Sequence, residues 1–308
     1  MEIGIFGLGA MGSVYATFFA EKGYNVIGFD EWEDHVRKIN QDGLKLSGFS
    51  GDRINKNIKA YQKVKEDHSF DLIIVSTKAN GVKKAAENIL PILKNKTTVI
   101  TIQNGLGSSE ELLNIIPDNK VLIGVADGFG ASIVNPGHAH HNSMKLIRLG
   151  EINGGLTAKV NNFVKIWKDC GFNVKGYENI QQLLWEKFIC NVSYSGPCSI
   201  YECTLGELLK TEEYWEVAKG CALEVYKIAQ KKNIKFNFND PIKYVKEFGE
   251  KMPNARPSML LDHISNRKSE IDFINGMVVK LGKQNQIETP FNFMISEIIR
   301  IKEKDFNS

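Results

Sequence analysis

The chain has 308 residues, 43% of them hydrophobic, and carries 39 basic against 36 acidic side chains for a net charge of +3. That supplies a full core and favours two domains, while the even mixing of charge leaves Lys231, Lys232 and Lys235 as solvated surface and makes nucleic acid an unexpected partner. Cys170, Cys190, Cys198, Cys203 and Cys221 are odd in number, lack paired metal spacing and read as reduced thiols. With no charged-then-apolar leader and no run near the roughly 18 apolar residues of a membrane span, a cytoplasmic protein without a membrane partner is expected.

The first twelve residues are an apolar run that breaks into Gly7-x-Gly9-x-x-Gly12. In the loop Gly7, Leu8, Gly9, Ala10, Met11, Gly12, the first glycine permits a tight turn and the second a close approach by a pyrophosphate. The third lets helix and strand pack together. A glycine fingerprint alone is weak, so its context must carry the inference. Residues 10–22 have helical spacing, Gly23 is a stop, and Asn25–Phe29 reads as a second parallel strand. Asp30 ends that strand eighteen residues after Gly12. Its carboxylate either caps the strand or accepts from the adenosine ribose hydroxyls and repels a 2′-phosphate, which favours NADH over NADPH.

A helix is expected over Glu31–Gln41, strands over Ile58–Tyr61 and Asp71–Thr77, and a helix over Lys83–Leu90. Strand Thr97–Ile102, helix Ser108–Ile116 opened by a Ser108–Glu111 capping box, and strand Lys120–Val125 follow. From 131 to 151 the pattern turns to hairpin-like strands around Pro136-Gly137, and helix Thr157–Asp169 and strand Asn173–Lys175 complete the unit. His138, His140 and His141 cluster there, the first and second on one strand face. Without a cysteine or carboxylate at ligand spacing, no metal site is expected. Past Glu178 the strands give way to amphipathic stretches at 179–195, 211–231, 240–250 and 258–302. The expected fold is α/β, a Rossmann-type doubly wound parallel sheet over 1–178 followed by an all-helical domain over 179–308.

Ligands of such sheets lie beyond the carboxyl ends of the strands, where Lys78 and Asn104 stand. Each is a turn residue or a ligand contact: the lysine for an anionic group, the asparagine for a carboxamide or carboxylate. In the helical half, Lys187, Asn191 and Ser195 fall at i, i+4 and i+8, a polar stripe on an apolar helix that Pro197 should end. Lys187 either snorkels or serves as a general acid. Ser258, after Pro257, opens a helix as a cap or as a carboxylate ligand, and Ser269-Glu270-Ile271-Asp272 should start another with an acidic first turn. For Ser258 and Glu270 to face one ligand, the chain must break near Asn266–Lys268, since an unbroken helix would separate them by roughly 18 Å.

These blocks carry a resemblance. Gly7-x-Gly9-x-x-Gly12, Thr77-Lys78-Ala79, Gln103-Asn104-Gly105-Leu106-Gly107 and Trp185-x-Lys187-x-x-x-Asn191 stand in the order seen in the ketopantoate reductase (2-dehydropantoate 2-reductase) family, as do Pro257-Ser258-Met259-Leu260-x-Asp262 and Glu270-Ile271-Asp272-x-Ile274-Asn275-Gly276. The resemblance implies a reduced nicotinamide dinucleotide in the N-terminal domain and hydride transfer to the keto carbon of a branched 2-keto acid, 2-dehydropantoate, giving pantoate. Its product leads toward pantothenate and coenzyme A. By the same similarity Lys187 is the proton donor and Glu270 its acidic companion, which also touches the cofactor. Asn191 and Ser258 bind substrate, and Lys78 and Asn104 lie around nicotinamide and substrate. Two departures stand out: Ser195 occupies the place of a second substrate-binding asparagine, and Asp30 the end where NADPH users carry a basic residue. A same-fold reductase of a different 2-keto or 3-hydroxy acid, and a non-catalytic NAD(P)-sensing module, are the alternatives, and a homodimer is left open.

Overall fold

The apolar N-terminal run becomes β1 (Glu2–Phe6), and the glycine loop leads into α1 (Ala10–Glu21), which Gly23 stops at φ +89°. The structure is a computed structural model and describes residues 1–306. After α1 come β2 (Asn25–Phe29), α2 (Glu33–Asp42), β3 (Leu44–Gly48), β4 (Arg53–Asn55), β5 (Lys59–Tyr61) and β6 (Leu72–Val75). They are followed by α3 (Val82–Ile89), β7 (Thr98–Thr101), α4 (Ser108–Leu113), β8 (Val121–Asp127), β9 (Gly130–Asn135), β10 (His138–Ser143), β11 (Leu146–Gly150), α5 (Ala158–Asp169) and β12 (Val174–Gly176). The remaining chain holds α6 (Ile180–Tyr201), α7 (Leu205–Lys210), α8 (Glu212–Lys231), α9 (Pro241–Glu250), α10 (Ser258–Ile264), α11 (Asn275–Asn285) and α12 (Pro290–Lys302). Two compact units result: Met1–Gln103 with Ser108–Ile180, and Asn104–Gly107 with the chain from Gln181 onward.

The first unit is built on an eight-stranded sheet ordered β12-β11-β8-β7-β6-β1-β2-β5. It is parallel from β5 to β8, as helical crossovers require, and β11 then runs antiparallel to β8. The central strands β6 and β7 are buried at every residue because both of their faces are covered. A second sheet, β4-β3-β10-β9, corrects the sequence reading, which assigned nothing to 44–55. β3 and β4 are short and carry Lys, Ser, Arg and Asn, so the brief Leu44-Lys45-Leu46-Ser47 alternation is their only sequence signal; β3 is held by pairing with β10, and β4 by pairing with β3. α1 touches β1 and β2 of the large sheet and β3, β9 and β10 of the small one, so all its residues from Gly12 to Ala20 are buried.

Two sequence expectations fail in this unit. The second helix starts at Glu33 rather than Glu31, because Asp30 and Trp32 form a turn in which the Asp30 carboxylate accepts from the Trp32 N–H at 3.0 Å. Ser108 is the first helical residue of a six-residue α4, and its buried hydroxyl has no partner among the described residues, so the capping box does not form. His138 and His140 do share a face, and both ring nitrogens meet Ser47 Oγ, at 2.8 and 3.1 Å. His141 lies inside, its Nδ1 2.9 Å from Ser50 Oγ.

The second unit is helical throughout its described residues, and none of its helices is long and apolar enough to cross a membrane. α6 runs through Pro197 instead of ending there. Proline removes the bond to the residue 193 carbonyl, but side chains bond the carbonyls of Val192 and Ser195 to either side of it. Asn275 Nδ2 donates to Val192 O at 3.0 Å, and the Ser199 hydroxyl donates to Ser195 O at 2.7 Å. Residues 258–302 break as anticipated, with α10 ending at Ile264 and Asn266 in the left-handed region at φ +55°. Ser269–Asp272 does not start a helix, however. Glu270 precedes a 3₁₀ turn over Ile271–Phe273, and α11 begins only at Asn275.

The joint between α10 and α11 is pinned by Glu303. Its Oε1 accepts from His263 Nε2 and from the Ser269 N–H, each at 2.9 Å, and the side chains of His263 and Glu303 are both buried. Burial works against the charge, yet the bonds from His263 and Ser269 hold this carboxyl below the ordinary glutamate range. A depressed pKa stabilises the fold above the unfolded-state value and loses that contribution as pH falls through the folded-state one. Glu303→Gln is therefore expected to cost about 2 kcal/mol in urea denaturation at pH 7. The difference should start to shrink as pH falls below the ordinary glutamate value of about 4.3 and vanish only below the depressed folded-state one.

Candidate active site

β1 has β2 on one edge and β6 on the other, so successive crossovers leave it in opposite directions, and the crevice past β1 and β6 is the topological switch point. The glycine loop sits there. Gly7 has φ +92°, and a Cβ on it would stand 2.6 Å from the Thr77 nitrogen. One on Gly12 would stand 1.8 Å from the Gly7 oxygen. These two glycines are demanded by the protein's own packing. Gly9 differs: a Cβ there would meet no described atom within 4 Å, which is the open side a ligand needs.

α1 begins at this loop with Gly9 as its cap residue, no side-chain cap bond and no acidic residue in its first turn. Its first N–H groups and positive dipole end are left to an external anion, and the cradle fits a dinucleotide pyrophosphate. Ala10 and Met11 are half-buried in that turn, whereas the Leu8 side chain is fully buried against Gly28. Leu8 therefore offers a ligand its backbone only. Asp30 stands at the end of β2, the next strand of the sheet. Its bond to Trp32 occupies one oxygen and orients the carboxylate, whose other oxygen can accept from a ribose hydroxyl.

The end of β6 is bound to the glycine loop, since Ser76 Oγ donates to Gly7 O at 2.8 Å. Gln103, just past β7, donates from Nε2 to Val75 O at 2.8 Å and to Thr77 O at 3.2 Å. Sequence reasoning passed over Gln103 in favour of its neighbour, although a glutamine amide directly after a parallel strand is the kind of group that bridges strand ends. Lys78 is exposed on this rim, one residue before a 3₁₀ turn over Ala79–Gly81.

In the helical unit each residue of α6 from Leu183 to Ser199 is buried except Lys187 and Asn191, which are half-buried and one turn apart. Ser195, the third member of the predicted stripe, is 5% exposed. Asn104–Gly107 packs with this unit: Gly105, at φ +81°, would carry a Cβ 2.4 Å from Phe273 O, and one on Gly107 would be 2.3 Å from Met277 Cε. The exposed Asn104 thus adjoins a segment lying along the turn that follows the half-buried Glu270. The same segment reaches α6 through Asn275, fully buried, whose Nδ2 serves both Val192 O and Asn292 Oδ1. Asn292 Nδ2 in turn donates to Glu224, a carboxylate that burial raises above its ordinary pKa and that also accepts from the N–H groups of Phe291 and Asn292. Ser258 is exposed as the first residue of α10, with Pro257 rather than a serine in the cap position. Its segment is tied to α7 by the Leu205 N–H donating to Ala255 O at 3.1 Å.

The family model described as Ketopantoate reductase PanE/ApbA matches residues 3–154, and that of its C-terminal part matches 179–303. A 2-dehydropantoate 2-reductase of Streptococcus pyogenes serotype M1 is 29% identical over 308 residues, covering 100% of this chain and 99% of that protein. One from Aquifex aeolicus (strain VF5) is 26% identical, covering 98% and 97%. Among solved structures, D-mandelate dehydrogenase with NADH and anilino(oxo)acetate superposes at a TM-score of 0.89 with 27% identity, covering 98% of each chain. The PanE/ApbA family ketopantoate reductase from Ralstonia eutropha JMP134 gives 0.88 and 26%, again over 98% of each. The chain belongs to the ketopantoate reductase family.

Proposed function

We propose that this protein reduces 2-dehydropantoate to pantoate with a nicotinamide dinucleotide, and that Lys187 supplies the proton. The observation that carries the reading is the pattern on α6, a helix buried around Lys187 and Asn191 and open at those two positions. A long cation at one of the two open positions of such a helix can present its ammonium to a ligand while its stem packs on the apolar face. When bound, the reduced nicotinamide supplies a hydride to the keto carbon. The Lys187 ammonium stabilises the negative charge that develops on the carbonyl oxygen and gives that oxygen its proton. Glu270 keeps the ammonium oriented, Asn191 and Ser195 hold the substrate's polar groups, and Ser258 receives its carboxylate. Lys78 and Asn104 position the substrate and the carboxamide end of the cofactor. Steady-state turnover of 2-dehydropantoate, measured with each dinucleotide, tests the reading; absence of turnover with both would sink it.

Asp30 favours NADH, because a carboxylate that accepts from the ribose hydroxyls repels a 2′-phosphate. At equal concentrations NADH should outperform NADPH about tenfold or more in kcat/KM, each tenfold being about 1.4 kcal/mol. Asp30→Arg should narrow or reverse that ratio. A wild type that strongly prefers NADPH would refute the assignment.

A second reading is supported by Ser195 and by the likeness to a D-mandelate dehydrogenase. Serine is shorter than asparagine and leaves more room for a bulkier 2-keto acid. A panel containing 2-dehydropantoate and the keto acid corresponding to mandelate separates the two readings by their kcat/KM values.

A further inference from the structure

His35 lies in the first turn of α2, is 0% exposed and has no place in the chemistry described above. Its two ring nitrogens face fixed backbone groups of opposite kind. Nδ1 accepts from the Gly137 N–H at 3.0 Å, in the turn between β9 and β10. Nε2 is 2.9 Å from Leu8 O, which can only accept. The ring must therefore be neutral with its proton on Nε2. Burial acts in the same direction, pushing His35 below the ordinary histidine value against the pull of Asp30 and of the Leu8 carbonyl. Trp32 stacks on the ring at 5.1 Å and 12°, which keeps it from turning.

The Leu8 carbonyl thus receives two donors, since Ser13 Oγ reaches it as well at 2.7 Å. In a trans peptide the C=O and the following N–H point in opposite directions, and the chain has no cis bond among its described residues. Drawing the Leu8 oxygen inward turns the Gly9 N–H outward. The backbone is open at this residue, since a Cβ on Gly9 would meet no described atom within 4 Å beyond its chain neighbours.

We propose that His35 is a positioning residue for the dinucleotide: through the Leu8 carbonyl it presets the Gly9 N–H as a donor to the pyrophosphate. The inference rests on the cofactor reading given above. Binding then carries no cost of flipping the Leu8–Gly9 peptide, and the β9–β10 turn helps hold the loop in its receptive form.

Fluorescence titration with NADH tests this without turnover. His35→Phe, of similar shape but unable to bond, is expected to raise the NADH dissociation constant about tenfold, equivalent to one well-placed hydrogen bond. His35→Gln, which can donate and accept along the same line, should recover most of that loss. Ser13→Ala, a smaller change to the same carbonyl, should weaken NADH binding in the same direction and stands in if His35→Phe does not fold. The tautomer is read independently: ¹⁵N NMR of the imidazole near neutral pH should show Nδ1 unprotonated and Nε2 protonated. Folded His35→Phe and Ser13→Ala proteins that bind NADH as wild type does would overturn the proposal, as would the opposite tautomer. Wild type that binds neither NADH nor NADPH would instead bring down the cofactor reading, and this inference with it.

Discussion

Lys187→Ala is expected to lower kcat for 2-dehydropantoate by about 10²–10⁴-fold, the usual contribution of a positioned general acid, while NADH binding stays within a few-fold of wild type. The split follows from where the residue stands. Lys187 is on α6 of the helical unit, and the glycine loop and Asp30, proposed to hold the dinucleotide's pyrophosphate and ribose, belong to the other unit. An alanine there removes charge without opening a deep cavity, because the lysine is half-buried and its neighbours Glu186 and Phe188 keep α6 packed. Thermal unfolding should change little. Stopped-flow or steady-state kinetics beside a binding titration measures both sides of the split. Turnover unchanged in Lys187→Ala would force the proposed mechanism to be abandoned, and a loss of NADH binding in equal measure would show a structural lesion instead.

Gly12→Ala should be the most damaging single change in the dinucleotide cradle. The added methyl would sit 1.8 Å from the Gly7 oxygen, a backbone atom that cannot swing aside, and 2.8 Å from Ser76 Oγ. Either α1 withdraws from β1 or the Gly7 turn opens, and both displace the N–H groups that face the phosphates. Overpacking of this kind costs about 1–3 kcal/mol of stability. A shift of about 1 Å in a positioned group is worth on the order of 100-fold, so NADH affinity should fall by at least that much. Alanine at Gly9 makes the control for stability, since the protein itself leaves that position open: folding should be unchanged there while NADH, whose pyrophosphate approaches that side, still binds more weakly. If Gly12→Ala bound NADH as tightly as wild type, the cradle would have been misassigned.

Much of this architecture was legible because its signals are local. The run from Glu2 to Phe6, the glycine loop and the stop at Gly23 are neighbouring-residue facts, and β2 falls on Asn25–Phe29 as expected. The break between Ser258 and Glu270 could be anticipated from helix rise alone, and Asn266 supplies it. Pro197 shows the opposite case. By its own chemistry it should end a helix, yet α6 continues for four more residues because Asn275, far along the chain, bonds the helix near the defect. Ser108 and Ser269 misled in a similar way. Each has the residue pattern of a helix start, but Ser108 is already inside its helix, and the Ser269 N–H is taken by Glu303.

The glycine spacing ahead of α1 and the shared helical face of Lys187 and Asn191 were legible in the sequence alone, because glycine's missing Cβ and a helix's 3.6-residue period are properties of the chain itself. The second sheet, the pinning of α10 to α12 and the role argued for His35 came only from the folded molecule. Each depends on residues separated by tens to over a hundred positions, as in the 102 between His35 and Gly137. Contacts at that range are made by packing, and no period or spacing in a single strand of text encodes which distant carbonyl a buried nitrogen will meet.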